Sequence, residues 1–133
     1  MKALFSILVL ATLALFATAH ANDCASNTQM GMNECTDAAY KKTDAELNRV
    51  YRQIGERLKK DKDTSLLLVS AQKRWVSFRD AECAFSSSAG AEGSIYPLLV
   101  TQCRDALTSK RIDQLKIYLH CREGDISCPV PAE

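Results

Sequence analysis

Apolar residues recur at helical spacing in three long blocks, separated by two short polar stretches. Over residues 28–60, Met32, Cys35, Ala39, Leu47, Val50, Tyr51, Ile54 and Leu58 keep one face apolar, which predicts a single long helix. The interval around Thr43 is soft, and Thr43-Asp44-Ala45-Glu46 reads as a capping box at which that helix could restart. A polar hinge, Asp61-Lys62-Asp63, follows, with Asp63 or Thr64 placed to cap a second helix over 65–85. In that helix Ala71, Trp75, Phe78 and Cys83 line an apolar face, with Gln72 and Arg79 at its edge. The stretch 86–94 is almost entirely Ser, Ala and Gly and reads as a mobile connection. A third helix begins near Pro97, which is tolerated in a first turn, and carries Leu99, Cys103, Ala106, Ile112, Leu115 and Leu119. Gly124, Pro129 and Pro131 end regular structure. The pattern predicts an all-α fold of three long antiparallel helices in a small bundle.

The first block of the chain differs in kind. Met1-Lys2 is a short basic start, the run over 3–16 is apolar but short for a membrane span of about 20 residues, and Ala19-His20-Ala21 offers a cleavage site. We expect residues 1–21 to be a signal peptide, a mature chain from Asn22 without a membrane anchor, a helical domain over 22–120 and a tail over 121–133. This reading places the protein in the periplasm or outside the cell. Loss of Lys2 with the leader brings 17 basic and 16 acidic residues into balance. An even balance offers no electrostatic footprint for nucleic acid or anionic membranes.

All six cysteines, Cys24, Cys35, Cys83, Cys103, Cys121 and Cys128, lie beyond the expected cut. In an exported protein of this size an even count reads as three disulfides. Helix geometry favours Cys83 with Cys103 across the second and third helices, Cys24 with Cys35 at the start of the first, and Cys121 with Cys128 in the tail. A symmetric connector would favour a partner for Cys83 about one turn nearer the loop. A zinc site is disfavoured because there is no CxxC and His120 is the sole histidine after the leader. No nucleophile elbow, phosphate loop or metal cluster is visible, so neither an enzyme nor a cofactor is expected.

A tight turn near Lys62 would set Asp44 beside Arg79 or Asp80, Asn48 beside Trp75 or Val76, and Gln72 near Tyr51. These polar groups, with Arg111, form either an interhelical network that fixes register or a polar ligand niche.

The order of Cys24, Thr28-Gln29, Met32-Asn33, Cys35, Asp44, Leu47-Asn48, Tyr51, the Gln72-Trp75-Arg79-Asp80-Cys83 run, Cys103, Thr108, Arg111 and Leu115 resembles the lysozyme-inhibitor LprI-like N-terminal domain family, also known as a domain of unknown function. The resemblance implies an exported, disulfide-linked helical domain whose partner is a protein, a lysozyme in the case of the namesake. Unlike the namesake, this chain is expected to lack a lipobox and a substantial second domain, and no family active-site residue is carried over, because the matching positions read equally well as scaffold. If it inhibits lysozyme, the connector residues Ser87, Ser88 and Glu92 are the contact candidates, placed to block the enzyme's cleft. The alternative is a periplasmic protein-interaction or envelope-stress module with no lysozyme activity.

Overall fold

The computed structural model describes residues 27–132, and the expected signal peptide and Cys24 lie outside them. Among the described residues three helices follow one another up, down and up: α1 (Gln29–Arg57), α2 (Lys62–Ser86) and α3 (Tyr96–Leu119). A single 3-10 turn, Ser88–Gly90, stands between α2 and α3.

Thr28 caps α1 by accepting a hydrogen bond from the Gly31 N–H at 3.1 Å. The helix does not restart at Thr43. The Thr43 hydroxyl instead donates back to the Ala39 carbonyl at 3.3 Å, so the group that would have capped a new helix is used inside a continuous one. At the next junction the cap is Asp61, earlier than the expected Asp63 or Thr64. Its backbone N–H closes a turn onto the Leu58 carbonyl at 2.8 Å, leaving Asp61 extended with its carboxylate accepting from Thr64 N–H at 3.0 Å. Hydrogen bonding from Thr64, by its hydroxyl first and then by this backbone N–H, holds the Asp61 carboxyl below its ordinary value.

The core sits toward one end of the bundle. Leu47, Val50, Ile54, Leu58, Ile112, Leu115 and Val130 are buried together, with Tyr51, Leu68, Trp75, Tyr118, Leu119 and Cys121 packed around them. The backbones of α1 and α3 run closest, and α2 leans on α3. Along α3 the buried positions are Leu98, Thr108, Ile112 and Leu115; Ala106, expected on the inner face, is exposed.

The tail is not an appendage. The Cys121–Cys128 disulfide, with Cα atoms 5.6 Å apart, reverses the chain through Gly124, whose φ of 82° is left-handed, and returns Val130 to the core at 3% exposure. The expected division at residue 120 therefore marks the end of the helices and not the end of the packing. The Cys83–Cys103 disulfide forms as expected, with Cα atoms 5.5 Å apart. The 3-10 turn resolves the height mismatch: it carries the chain onward past α2, so the reversal centres near Gly93 and the two cysteines come level. Cys35 is also disulfide-bonded; its expected partner, Cys24, lies outside the described residues.

Candidate functional site

Two features of the bundle carry chemistry: a polar network where α2 faces α1 and α3, and the connector that joins α2 to α3.

The network is built on Arg79, which is only 7% exposed. Its guanidinium carbon lies 5.3 Å from the centre of the Trp75 ring and 5.7 Å from that of Tyr40. Nε donates to Asp80 Oδ1 at 3.0 Å, and Nη1 stands 3.7 Å from Asp44 Oδ1. Arg104 brings its Nε to 3.2 Å from the same Asp80 oxygen, an ion pair without hydrogen-bond alignment. Asp44 is held in turn by Asn48, whose amide donates to its carbonyl at 2.9 Å and its Oδ2 at 3.0 Å. On the other flank Arg111 lies 5.8 Å from the Trp75 ring, donating Nε to Gln72 Oε1 at 3.1 Å and Nη1 to Gln114 Oε1 at 3.2 Å. Trp75 thus serves two cations at once. Burial raises the Tyr40 hydroxyl above its ordinary value against the opposing pull of Arg79, and burial lowers the Arg111 guanidinium, which stays charged.

The sequence placed Asp44 beside Arg79 or Asp80, and the structure brings it to Arg79, which in turn holds Asp80. Gln72 pairs with Arg111 on α3, while Asn48 bonds within its own helix. Tyr40, Arg104 and Gln114 join the network without having been expected there. For Tyr40 the available signal was its spacing of four residues from Asp44 on the same helix. Beside the network, α1 and α2 leave an open groove of about 530 Å³, lined by Asp44, Asn48, Tyr51, Gln72, Lys73 and Arg79 among others.

The connector is ordered by successive turns. Ser87 N–H donates to the Cys83 carbonyl at 3.2 Å, Gly90 N–H to Ser87 O at 2.9 Å, Ala91 N–H to Ser88 O at 3.1 Å, Gly93 N–H to Gly90 O at 2.9 Å and Tyr96 N–H to Gly93 O at 3.1 Å. The expected mobile loop is therefore a hydrogen-bonded end-cap, seated on the Cys83–Cys103 disulfide. It also packs downward: a Cβ on Gly90 would stand 3.0 Å from Leu99 Cδ1. Of the three contact candidates, Ser88 and Glu92 are exposed and Ser87 is buried at 3% exposure, which removes it from any surface a partner could touch.

At the far end, His120 Nδ1 lies 2.7 Å from the Lys116 carbonyl, closing α3, and the neighbouring Cys121 is tied in its disulfide.

Residues 20–115 match the family described as lysozyme inhibitor LprI. The chain belongs to the LprI family. The match takes in α1, α2, the connector and most of α3, so the Arg79 network and the end-cap both lie inside the LprI region; the Cys121–Cys128 loop lies beyond it. An uncharacterized protein of Rhizobium meliloti (strain 1021) is 33% identical over 131 aligned residues, which cover 85% of this chain and 94% of that protein. No solved structure matches.

Proposed function

We propose that this protein is an exported, non-catalytic binding protein that inhibits lysozyme by lodging the α2–α3 end of the bundle in or across the enzyme's cleft. Membership of the LprI family supports the lysozyme-inhibitor reading, and the short apolar leader with six cysteines behind it supports export. The observation that carries the choice of surface is the end-cap itself, an exposed projection whose backbone is already hydrogen-bonded. Lysozymes cleave between paired carboxylates in a cleft, so a narrow projection that enters or covers the cleft suffices to stop turnover. A projection that is ordered before binding loses little further entropy when it docks. Glu92 supplies negative charge toward an enzyme that is typically basic, which favours encounter.

The test is a lytic assay on the chain from Asn22 onward, comparing wild type with a Ser88→Ala/Glu92→Ala double variant. The reading predicts that the double variant needs several-fold more protein for the same inhibition while melting at the wild-type temperature. Unchanged inhibition by the folded variant would move the contact away from the end-cap.

A second reading, an envelope protein-interaction module without lysozyme activity, draws on the open groove between α1 and α2. In that case Gln72→Ala and Lys73→Ala would weaken capture of the envelope partner, and lysis would be untouched by any variant.

A further inference from the structure

At the end of the bundle away from the end-cap, α2, the last turns of α3 and the returning tail enclose a cavity of about 270 Å³. Most of its wall is apolar, with Leu58, Leu68, Ala71 and Val130 among the residues that form it, and three polar residues, Thr64, Tyr118 and Arg111, complete it. The Thr64 hydroxyl is already engaged by Asp61. That leaves Tyr118 and Arg111, and Arg111 is the one residue of the wall that is charged at neutral pH.

Arg111 and Arg79 stand against the same Trp75 ring, but only Arg79 is neutralised. Arg79 has Asp80 at 3.0 Å and Asp44 at 3.7 Å. Arg111, half-buried, has no carboxylate within ion-pair distance among the described residues. Two of its five N–H groups reach neutral amide oxygens, on Gln72 and Gln114, and the other three have no protein acceptor among the described residues. Tyr118 lies two turns further along the same face of α3, and helix side chains lean toward the helix N-terminus. Its hydroxyl is thereby brought back toward the guanidinium, within reach of an electrostatic interaction, and it too has no hydrogen-bond partner among the described residues. The cavity thus has a cationic, donor-rich end beside Ala71 and Gln72 and an apolar remainder that runs to Leu58 and Val130. A half-buried cation with open donors is complemented by an anion, and an apolar cavity by an apolar body.

We propose that this cavity binds a small amphiphilic carboxylate, its head paired with Arg111 and hydrogen-bonded by Tyr118, its alkyl chain lying along Leu68, Leu58 and Val130. A water molecule takes up about 30 Å³ in the liquid and a methylene is of similar size, so the cavity has room for roughly nine such groups, which corresponds to a straight-chain acid of about eight carbons. A ligand of that size reaches a dissociation constant of about 0.1 to 1 mM. Tyr118 and the tail that supplies Val130 fall beyond the region that matches the LprI family, so the site is completed by residues outside the family region. Its position at the opposite end from the end-cap makes its occupancy independent of any contact made there.

The test is an amide NMR titration of the chain from Asn22, disulfides intact, with sodium octanoate, octan-1-ol, octylammonium chloride and sodium acetate as separate probes. Octanoate should shift the amides of Leu68, Ala71, Tyr118 and Val130 in a saturable way. Octanol and octylammonium should bind at least tenfold more weakly, because neither answers the guanidinium, and acetate should not saturate, because it lacks the apolar body. Arg111→Gln should weaken octanoate binding at least tenfold. Ala71→Trp, which leaves Arg111 in place and sets a ring into the cavity wall, should weaken it several-fold; each variant is first shown to melt cooperatively. Octanoate that causes no saturable shifts, or shifts confined to other parts of the bundle, overturns the proposal. So does octanol or octylammonium binding as tightly as octanoate, which the wild-type chain alone reveals, or an affinity unchanged in the folded Arg111→Gln chain.

Discussion

Arg79 and Trp75 exchange the places their side chains would ordinarily take: the arginine is buried and the tryptophan, 5.3 Å from its guanidinium, is only half-buried. The exchange is stable because the guanidinium is answered by the Trp75 and Tyr40 rings and by the Asp80 and Asp44 carboxylates. A buried charge without such partners would be expelled.

Removing the arginine takes from Asp44 its ion pair and from Asp80 one of two, Arg104 being the other, and empties the buried space beside the Trp75 and Tyr40 rings. Arg79→Ala is expected to destabilise the fold by roughly 3 kcal/mol, and Arg79→Lys by a large share of that, because an ammonium group can neither stack over two rings nor bridge both acids. Urea unfolding of the disulfide-intact variants reads both values.

Thr108 is fully buried, and its hydroxyl makes no hydrogen bond. Replacing it with valine keeps the shape and removes the unanswered polar group, so Thr108→Val should raise stability by about 1 kcal/mol. A midpoint shift to higher denaturant with unchanged slope would carry that result.

Val130 belongs to the core although it lies beyond the region that matches the family. Val130→Ala should cost about 1 to 2.5 kcal/mol, and reduction of Cys121–Cys128 should release the tail and cost a comparable amount. Hydrogen exchange separates the two effects, since only reduction should also lose protection at Asp125 and Cys128, whose amides close the tail turns.

Glu46 joins α1 to α3: it pairs with Arg49 at 2.6 Å and with Lys116 at 3.1 Å, and hydrogen bonds from these two hold its carboxyl at about 2, below an ordinary value of 4.5. A carboxyl lowered in the folded chain stabilises it above the unfolded value and loses that contribution as pH falls toward the folded one. Wild type should therefore lose more stability than Glu46→Gln between about pH 4.5 and pH 2. Because about a third of the Glu46 side chain is open to solvent, the difference should shrink in high salt.

Much of this arrangement was legible in the sequence, and the departures share a cause. The helix count, the unbroken α1, the Asp44–Arg79 register and two of the three disulfides follow from spacing, because 3.6-residue periodicity and a short turn leave few alternatives. The inner face of α2 was set too far toward Phe78. Ranking positions by apolarity puts Gln72 and Arg79 at the margin, whereas the face that packs runs through Leu68, Gln72, Trp75, Arg79 and Cys83, about half a quadrant further round. Two polar residues belong to it because partners on other helices satisfy them, and those partners are invisible to periodicity. Ser87 and Val130 illustrate the same limit at the chain's turns. A serine in a small-residue connector and a valine between prolines carry no local sign of burial, which comes to them from the disulfide-anchored reversals around them.

The proposed function requires this LprI-family bundle to lodge its ordered end in a lysozyme cleft. The most direct measurement is the rate of bacterial lysis by a panel of lysozymes of different types, titrated with the purified chain from Asn22 onward. At least one type should be slowed at between sub-stoichiometric and modest molar excess, with full protection as the protein approaches saturation. Undiminished lysis across the whole panel, by protein shown to be folded and disulfide-bonded, would contradict it.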